Sequence, residues 1–151
     1  MKVASILKKK GREVHTIHPE QKVAEAVEIL VQQRIGALVV VDAAGRPVSI
    51  ISERDVLRAL HHHCSRMAEF EVRELMAEQM VACVSSDSVD DVMHLMNHNV
   101  TGRRIRHIPV VDDGELIGMV TLGDIIEALL TEREFENNLL RNYIKNWPEE
   151  E

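Results

Sequence analysis

The chain contains the same pattern of residues twice, and this internal repeat constrains its fold more than any other feature. The segment "GALVVVDAAGRPVSIISERD", residues 36–55, has its counterpart in "RHIPVVDDGELIGMVTLGD", residues 106–124. In both segments an apolar run, a turn with Asp and Gly and a second apolar run predict a β-hairpin. A hydroxyl residue and, three positions later, an aspartate end each copy, as Ser52-x-x-Asp55 and Thr121-x-x-Asp124.

The repeat extends upstream of the hairpins. Residues 14–30, "VHTIHPEQKVAEAVEIL", align with residues 80–96, "MVACVSSDSVDDVMHLM", and the shared apolar positions have the i, i+3, i+4, i+7 spacing of a helix. The lead-in segments 3–7 and 72–76 also correspond. Each copy therefore predicts a lead-in helix, a strand, a helix, a strand, a turn, a strand and a final helix.

This pattern predicts an α/β fold made of two pseudo-symmetric repeats. Residues 1–66 form the first repeat and residues 67–130 the second, each a small sheet packed with helices. Because a unit of this size is too small to bury both faces of a short sheet, we expect the two repeats to pack together.

Residues 131–151 are predicted to form a helical tail. Phe135, Leu139, Tyr143 and Trp147 recur every four residues, which is the spacing of an amphipathic helix. Two roles stay open for this apolar stripe. It covers the module in the single chain, or it is a surface for a dimer or another partner.

Composition and charge narrow the class of protein. A chain of 151 residues with 45% hydrophobic and 28% charged residues is typical of a soluble globular protein. The net charge of -7 argues against general binding to nucleic acid. No apolar stretch suits a membrane span or a signal peptide, and the two cysteines have no Cys-x-x-Cys spacing, so we expect a cytoplasmic protein.

The Ser/Thr-x-x-Asp pairs have a structural interpretation, because both residues favour the first turn of a helix, where they satisfy free backbone N–H groups. Capping alone does not explain why the two copies differ at the residues that begin the hairpin. Gly36-Ala37 in the first copy becomes Arg106-His107 in the second, next to Arg103 and Arg104. This basic cluster in an acidic chain predicts an anionic ligand.

The doubled pattern, in particular "IHPEQKVAEAVEIL", "VVVDAAGRPVSIISERDV" and "RHIPVVDDGELIGMVTLGDI", resembles the paired cystathionine-β-synthase (CBS) domain, or Bateman module, over residues 1 to about 130. The resemblance implies a protein that is not an enzyme by itself. It implies instead an adenine-containing ligand, such as AMP, ATP, NADH or S-adenosylmethionine, bound in clefts between the repeats. Occupancy of the clefts would regulate an unidentified partner protein, and two modules would pair as a homodimer.

The resemblance also implies two crossed clefts, each with an aspartate from one repeat for the ribose hydroxyls and a first strand from the other repeat for the base. The implied nucleotide-binding residues of one cleft are Thr121, Asp124, Arg106 and His107 with Thr16, Gly36 and Ala37. Those of the other cleft are Ser52, Arg54 and Asp55 with Ala82 and Cys83. Ala82 lacks the hydroxyl that Thr16 offers, so base recognition in the second cleft would depend on backbone groups.

Other functions have less support in the sequence. His61-His62-His63-Cys64 contains metal-binding residue types, but consecutive helical residues point in different directions, and we predict no metal site there. His94 and His98 have helical spacing without the Glu of a His-Glu-x-x-His motif. We find no catalytic motif and predict no catalytic residues. The alternative to a nucleotide-binding module is a ligand-free structural or protein-interaction module that acts through its helical faces and tail.

Overall fold

The computed structural model describes residues 1–146, apart from the side chain of Ser65. The first repeat contains α1 (Val3–Lys10), β1 (Thr16–Ile17), α2 (Val23–Gln33), β2 (Ala37–Val41), β3 (Pro47–Ser52) and α3 (Glu53–His63), and a 3-10 helix (Cys64–Glu69) connects it to the second repeat. The second contains α4 (Val72–Leu75), α5 (Val89–Asn97), β4 (His107–Asp112), β5 (Glu115–Thr121) and α6 (Leu122–Lys145). The predicted α/β class with two repeats is confirmed.

The two sheets differ in one strand. In the first sheet β1 pairs with β2 in parallel, and β2 pairs with β3 in antiparallel fashion. In the second sheet β4 pairs with β5, while the predicted first strand is reduced to a single bridge between Cys83 and Val110. The backbone N–H of Val39 donates to His15 O at 3.2 Å, but its counterpart Pro109 has no N–H to donate.

The predicted hairpin turns are present in both repeats. Between β4 and β5, Asp113 and Gly114 both have positive φ angles, 51° and 80°, as a two-residue hairpin turn requires. The first turn is longer, and the side chain of Asp42 fixes it by accepting hydrogen bonds from the N–H groups of Ala44 and Arg46. The turns bring Ser52 and Thr121 to equivalent positions at the ends of β3 and β5.

Each lead-in helix packs on the other repeat, which the order of elements in the sequence does not reveal. Val3, Ile6 and Leu7 of α1 are buried in the core of the second repeat, and Val72 of α4 is buried in the core of the first. Leu7 lies directly over Gly118 of β5, where an added Cβ would come within 2.5 Å of Leu7 Cδ2. The helix that begins the chain thereby reaches the second repeat's Ser/Thr-x-x-Asp motif.

A third apolar cluster joins the two sheets. Val39 and Val41 of β2 and Met119 of β5 are buried together, with Ile50 and Leu116 packed at the edge. The expected packing of the repeats against each other is therefore present, and it sets the distance between residues that lie on opposite sides of the interface.

The tail is not a separate helix. It continues the last helix of the second repeat as one 24-residue α6, because no glycine or proline interrupts the sequence between Gly123 and Pro148. Phe135 and Leu139 remain 63% and 54% exposed in the single chain, and Trp147 lies outside the described residues. In the described part of the chain, no helix combines the length and the apolar character needed to cross a membrane.

Candidate functional site

Ser52 and Asp55 form a capping box at the start of α3. Asp55 Oδ2 accepts the backbone N–H of Ser52 at 2.8 Å, and Ser52 Oγ accepts the backbone N–H of Asp55 at 3.4 Å. The other carboxylate oxygen, Oδ1, lies 3.6 Å from Arg58 Nη1. The capping interpretation is thus confirmed, and it occupies only one of the two carboxylate oxygens.

Thr121 and Asp124 form the equivalent capping box at the start of α6, but here a lysine joins it. Asp124 Oδ2 accepts the backbone N–H of Thr121 at 2.9 Å and the ammonium of Lys10 at 2.7 Å. Lys10 also donates to the carbonyl of Met119 at 2.9 Å. The exchanged helix α1 thus places a positive charge directly on the aspartate that sequence analysis assigned to a ribose.

The environment of Asp124 favours its charged form. Burial acts to raise the pKa of this carboxyl, but the hydrogen bond from Lys10 and those from Thr121, together with the charge of Lys10, outweigh burial and lower the pKa below its ordinary value. Asp124 is therefore a carboxylate whose Oδ2 is already engaged within the chain by Lys10 and Thr121.

A cavity of about 570 Å³ opens around Asp55, between the two repeats. This volume is in the range of small-molecule sites. Its basic lining residues are Arg54, Arg58, Arg103, Arg104, Arg106 and His107. Its acidic lining residues are Glu53, Asp55 and Glu78, and its apolar ones include Ile50, Leu75, Met76 and Ala77. Positive charge is thus concentrated in one cleft of a chain whose net charge is -7.

The apolar side of the cavity is held against β3. The N–H of Ala77 donates to Ile50 O at 3.0 Å, and Ser49 Oγ donates to Ala77 O at 2.5 Å. Ser49 is 1% exposed, so this side-chain hydrogen bond lies in a buried position. The segment that follows α4 is therefore a fixed wall of the cavity.

His107 lies where the two repeats meet. A Cβ on Gly36 would come within 2.9 Å of His107 Cε1 and 3.0 Å of Nε2, so only glycine allows the ring this close. Burial lowers the pKa of His107, with further lowering by Lys10 and Arg106, while Glu53 and Asp124 oppose the shift. The ring is therefore predominantly neutral at pH 7, and it is available as a hydrogen-bonding group rather than as a cation.

Some of the predicted residues line this cavity and others lie outside it. Gly36, Ser52, Arg54, Asp55, Arg106 and His107 line the cavity together. Arg106 and His107, which the sequence placed with Asp124, line this cavity and also remain beside the Thr121 motif, since His107 pairs with Thr121 and Arg106 O accepts the N–H of Leu122. In the described part of the chain, the cavity lining does not include Thr16, Ala37, Ala82, Cys83, Thr121 or Asp124.

Three of the predicted residues that lie outside the cavity lining have well-defined surroundings. Thr16 is exposed on β1, at the edge of the first sheet, and Ala37 is buried in β2. Cys83 is 4% exposed in the core of the second repeat, where burial, followed by the charges of Asp87 and Asp112, raises its pKa to about 12. Its thiol is therefore unreactive.

Sequence analysis missed Lys10 and Arg58, the two cations nearest to the paired aspartates. Arg58 had a usable signal, because it lies three residues after Asp55 on the same face of α3. Lys10 had none, since its approach to Asp124 depends on the exchange of α1 between repeats. Within residues 1–146, no group of three or more His, Cys, Asp or Glu side chains is placed to share a metal ion.

Comparison with protein families identifies both repeats. The profile of the CBS domain matches residues 3–62 and again residues 72–131. The mitochondrial CBS domain-containing protein CBSX3 of Arabidopsis thaliana is 32% identical over an alignment of 151 positions. The alignment covers 95% of this chain and 71% of that protein.

Solved structures agree with this match. The CBS-domain protein ATU1752 of Agrobacterium tumefaciens superposes with a TM-score of 0.78 at 34% identity, covering 85% of this chain and 98% of that one. The CBS domain pair of MJ0100, solved with 5-methylthioadenosine and S-adenosyl-L-methionine, has a TM-score of 0.74 at 28% identity, with 87% and 98% covered. CBSX2 in complex with AMP has a TM-score of 0.69 at 27% identity, again with 87% and 98% covered.

Proposed function

This chain belongs to the CBS domain family, and from that membership and the geometry of its cleft we propose that it is a regulatory module that binds an adenine nucleotide in the cavity around Asp55. The observation that carries the proposal is the arrangement of this cavity, which places apolar, acidic and basic groups side by side. The AMP bound to CBSX2 and the adenosyl ligands bound to MJ0100 support the same ligand class.

The cavity has lining residues suited to each part of a nucleotide, the base, the ribose and the phosphate. Ile50, Leu75 and Met76 offer an apolar surface on which a flat heteroaromatic base excludes water. Asp55 Oδ1 has no backbone hydrogen bond to satisfy and is the acceptor for a ribose hydroxyl. Arg54 and Arg106 supply positive charge for a phosphate, which guanidinium groups bind in a bidentate manner. AMP, ATP, NADH and S-adenosylmethionine all contain the adenosyl group that this arrangement would bind.

The cleft at Asp124 binds its ligand more weakly in this proposal. The ammonium of Lys10, 2.7 Å from Asp124 Oδ2, already neutralises the charge of this carboxylate, which weakens the hydrogen bond that the carboxylate can form with a ribose hydroxyl. The first nucleotide bound by each chain therefore occupies the cavity around Asp55.

The module acts by changing its interaction with another protein, not by catalysis. It pairs as a homodimer, with the exposed stripe of α6 as part of its contact surface. Two unpaired cysteines, Cys64 and Cys83, suit a reducing compartment such as the cytoplasm, and cell fractionation tests this placement. The alternative is a ligand-free interaction module, favoured by the exposure of Phe135 and Leu139 on α6.

Calorimetry with AMP and the full chain tests the proposed function. The substitution Asp55→Asn keeps an oxygen for the N–H of Ser52 but removes the charge, so AMP affinity should fall by about tenfold to a hundredfold, a loss of about 1.5 to 3 kcal/mol. Asp90→Asn, at an exposed aspartate on α5, is the matched control and should bind as the wild type does. Absence of AMP binding to the folded wild type would favour the ligand-free alternative.

A further inference from the structure

Within residues 1–146, four of the cavity's five arginines have no carboxylate partner. Arg58 is the one that pairs with an aspartate of the cavity, at 3.6 Å from Asp55. Among the described residues, no Asp or Glu lies within ion-pair distance of the remaining four, which are Arg54, Arg103, Arg104 and Arg106. Like charges gathered in one cleft repel each other, and an anion of matching charge removes that repulsion.

Two of these arginines, Arg103 and Arg104, directly follow about four extra residues, 99–102, that the second repeat has and the first lacks. A network of hydrogen bonds holds the backbone of this turn in place. Asn99 Nδ2 donates to Arg103 O at 2.8 Å and to Leu95 O at 3.1 Å, which ties the loop to the end of α5. The N–H of Arg103 donates to Thr101 Oγ1 at 3.2 Å, and Thr101 donates in turn to Asn99. Gly102, with φ at +69°, supplies the conformation that this tight turn needs.

The turn ends in a backbone contact with the helix, since the N–H of Ile105 donates to Met96 O at 2.9 Å. Arg103 and Arg104 therefore belong to a segment whose backbone is held by hydrogen bonds, and they line the cavity opposite α3. Because the backbone of this turn is already ordered, its two exposed arginines can bind an anion without the entropic cost of ordering a flexible loop.

The four unpaired guanidinium groups are more than one phosphate can bind. A single phosphate is neutralised by one or two guanidinium groups, each bound through two parallel hydrogen bonds. A diphosphate or triphosphate chain is longer and carries more charge, so it can reach Arg103 and Arg104 in addition to Arg54 and Arg106. We infer that the nucleotide preferred by the Asp55 cavity carries two or more phosphoryl groups, with Arg103 and Arg104 as the residues that determine this preference. The inference rests on the proposed function and adds the length of the phosphate chain.

Calorimetric titration of the full chain with AMP, ADP and ATP, in low salt with EDTA present, tests the inference. We expect the wild type to bind ATP at least about tenfold more tightly than AMP, with ADP between them. In the double variant R103Q/R104Q the ATP and AMP affinities should differ by less than about threefold, while AMP binds nearly as in the wild type. The single variant R104Q should lose part of the preference, and circular dichroism confirms that each variant is folded.

The control variant R133Q/R141Q removes the same charge from exposed positions on α6, and it should keep the wild-type preference for ATP. Inorganic triphosphate should compete with ATP for the wild type but not for R103Q/R104Q. Equal affinity of the wild type for AMP and ATP, or an ATP preference that survives in R103Q/R104Q, would overturn the inference and leave the proposed function standing. Failure of all three nucleotides to bind would overturn both.

Discussion

Lys10 Nζ lies 2.7 Å from Asp124 Oδ2, although 114 residues separate the two in the chain. The pair forms because α1 packs on the second repeat instead of its own. Its pseudo-symmetric counterpart differs, since Asp55 has Arg58 of its own helix at 3.6 Å and an open cavity beside it. Two motifs that are equivalent in sequence are therefore unequal in the fold.

Lys10→Met should raise the pKa of Asp124, because the substitution removes both a hydrogen bond and a positive charge from the carboxylate. Carbon-detected NMR titration of the aspartate carboxyl groups measures this change. Lys9→Met, which affects a neighbouring exposed lysine 3.6 Å from Glu127, is the control and should leave Asp124 unchanged. An unaltered titration of Asp124 in Lys10→Met would show that the ion pair is absent in solution.

The same pair predicts a pH dependence of stability. A carboxyl whose pKa is lower in the folded state stabilises the fold above its unfolded value, about 3.9, and this contribution is lost as the pH falls through the folded value. The Lys10 side chain is 34% exposed, and screening by solvent limits the pair to about 1 kcal/mol. Lys10→Met should accordingly unfold more easily than the wild type at pH 7, with a gap that narrows below about pH 4. A gap that widens in acid would contradict this sign.

Because the lead-in helices are exchanged between the repeats, a mutation in α1 should destabilise the second repeat. Leu7 is 2% exposed over Gly118, so Leu7→Ala should lower the free energy of unfolding by about 2 to 4 kcal/mol. Hydrogen exchange should rise mainly in β4 and β5, which belong to the other repeat. Lys8→Ala, one position further along α1 and exposed, is the control. Faster exchange confined to β1 and β2 would mean that α1 packs on its own repeat.

His107 makes a different contribution between neutral and mildly acidic pH. Its pKa is lowered in the fold, so the unfolded chain binds the proton more readily, and the wild type should lose stability as the pH falls below about 6.5. His107→Asn should reduce that loss, as measured by urea unfolding across the same pH range. His15→Asn, at a histidine before β1, is the control. Equal pH dependence of stability in wild type and His107→Asn would show that His107 does not cause this loss of stability.

Local features of the sequence predicted the local structure well. The Asp-Gly turns and the Ser/Thr-x-x-Asp caps depend on residues a few positions apart, so the sequence contains their whole explanation. The missing strand at Cys83 could also have been predicted, because Pro109 stands where Val39 donates a hydrogen bond. The approach of Lys10 to Asp124 and the place of Arg106 opposite Asp55 could not. Both depend on packing between repeats, which no local pattern encodes.

The exposed stripe of α6 predicts a homodimer. Phe135, Leu139 and Ile144 are each more than half exposed, and an apolar stripe of this length is typical of a contact surface. Light scattering should give twice the mass of one chain, and Leu139→Glu should shift the mass toward that of a monomer without loss of AMP binding. Glu136→Gln, on the same helix, is the control. A monomeric wild type at micromolar concentration would assign the stripe to a different protein partner.

A crystal structure of the chain with AMP tests most directly whether the nucleotide binds in the cavity around Asp55. We expect one nucleotide in the cavity between the repeats, with a ribose hydroxyl about 2.5 to 3.0 Å from Asp55 Oδ1 and the phosphate within hydrogen-bond distance of Arg54 or Arg106. The base should lie against Ile50, Leu75 and Met76. AMP bound at Asp124 with the cavity around Asp55 empty, or no AMP at saturating concentration, would contradict this expectation.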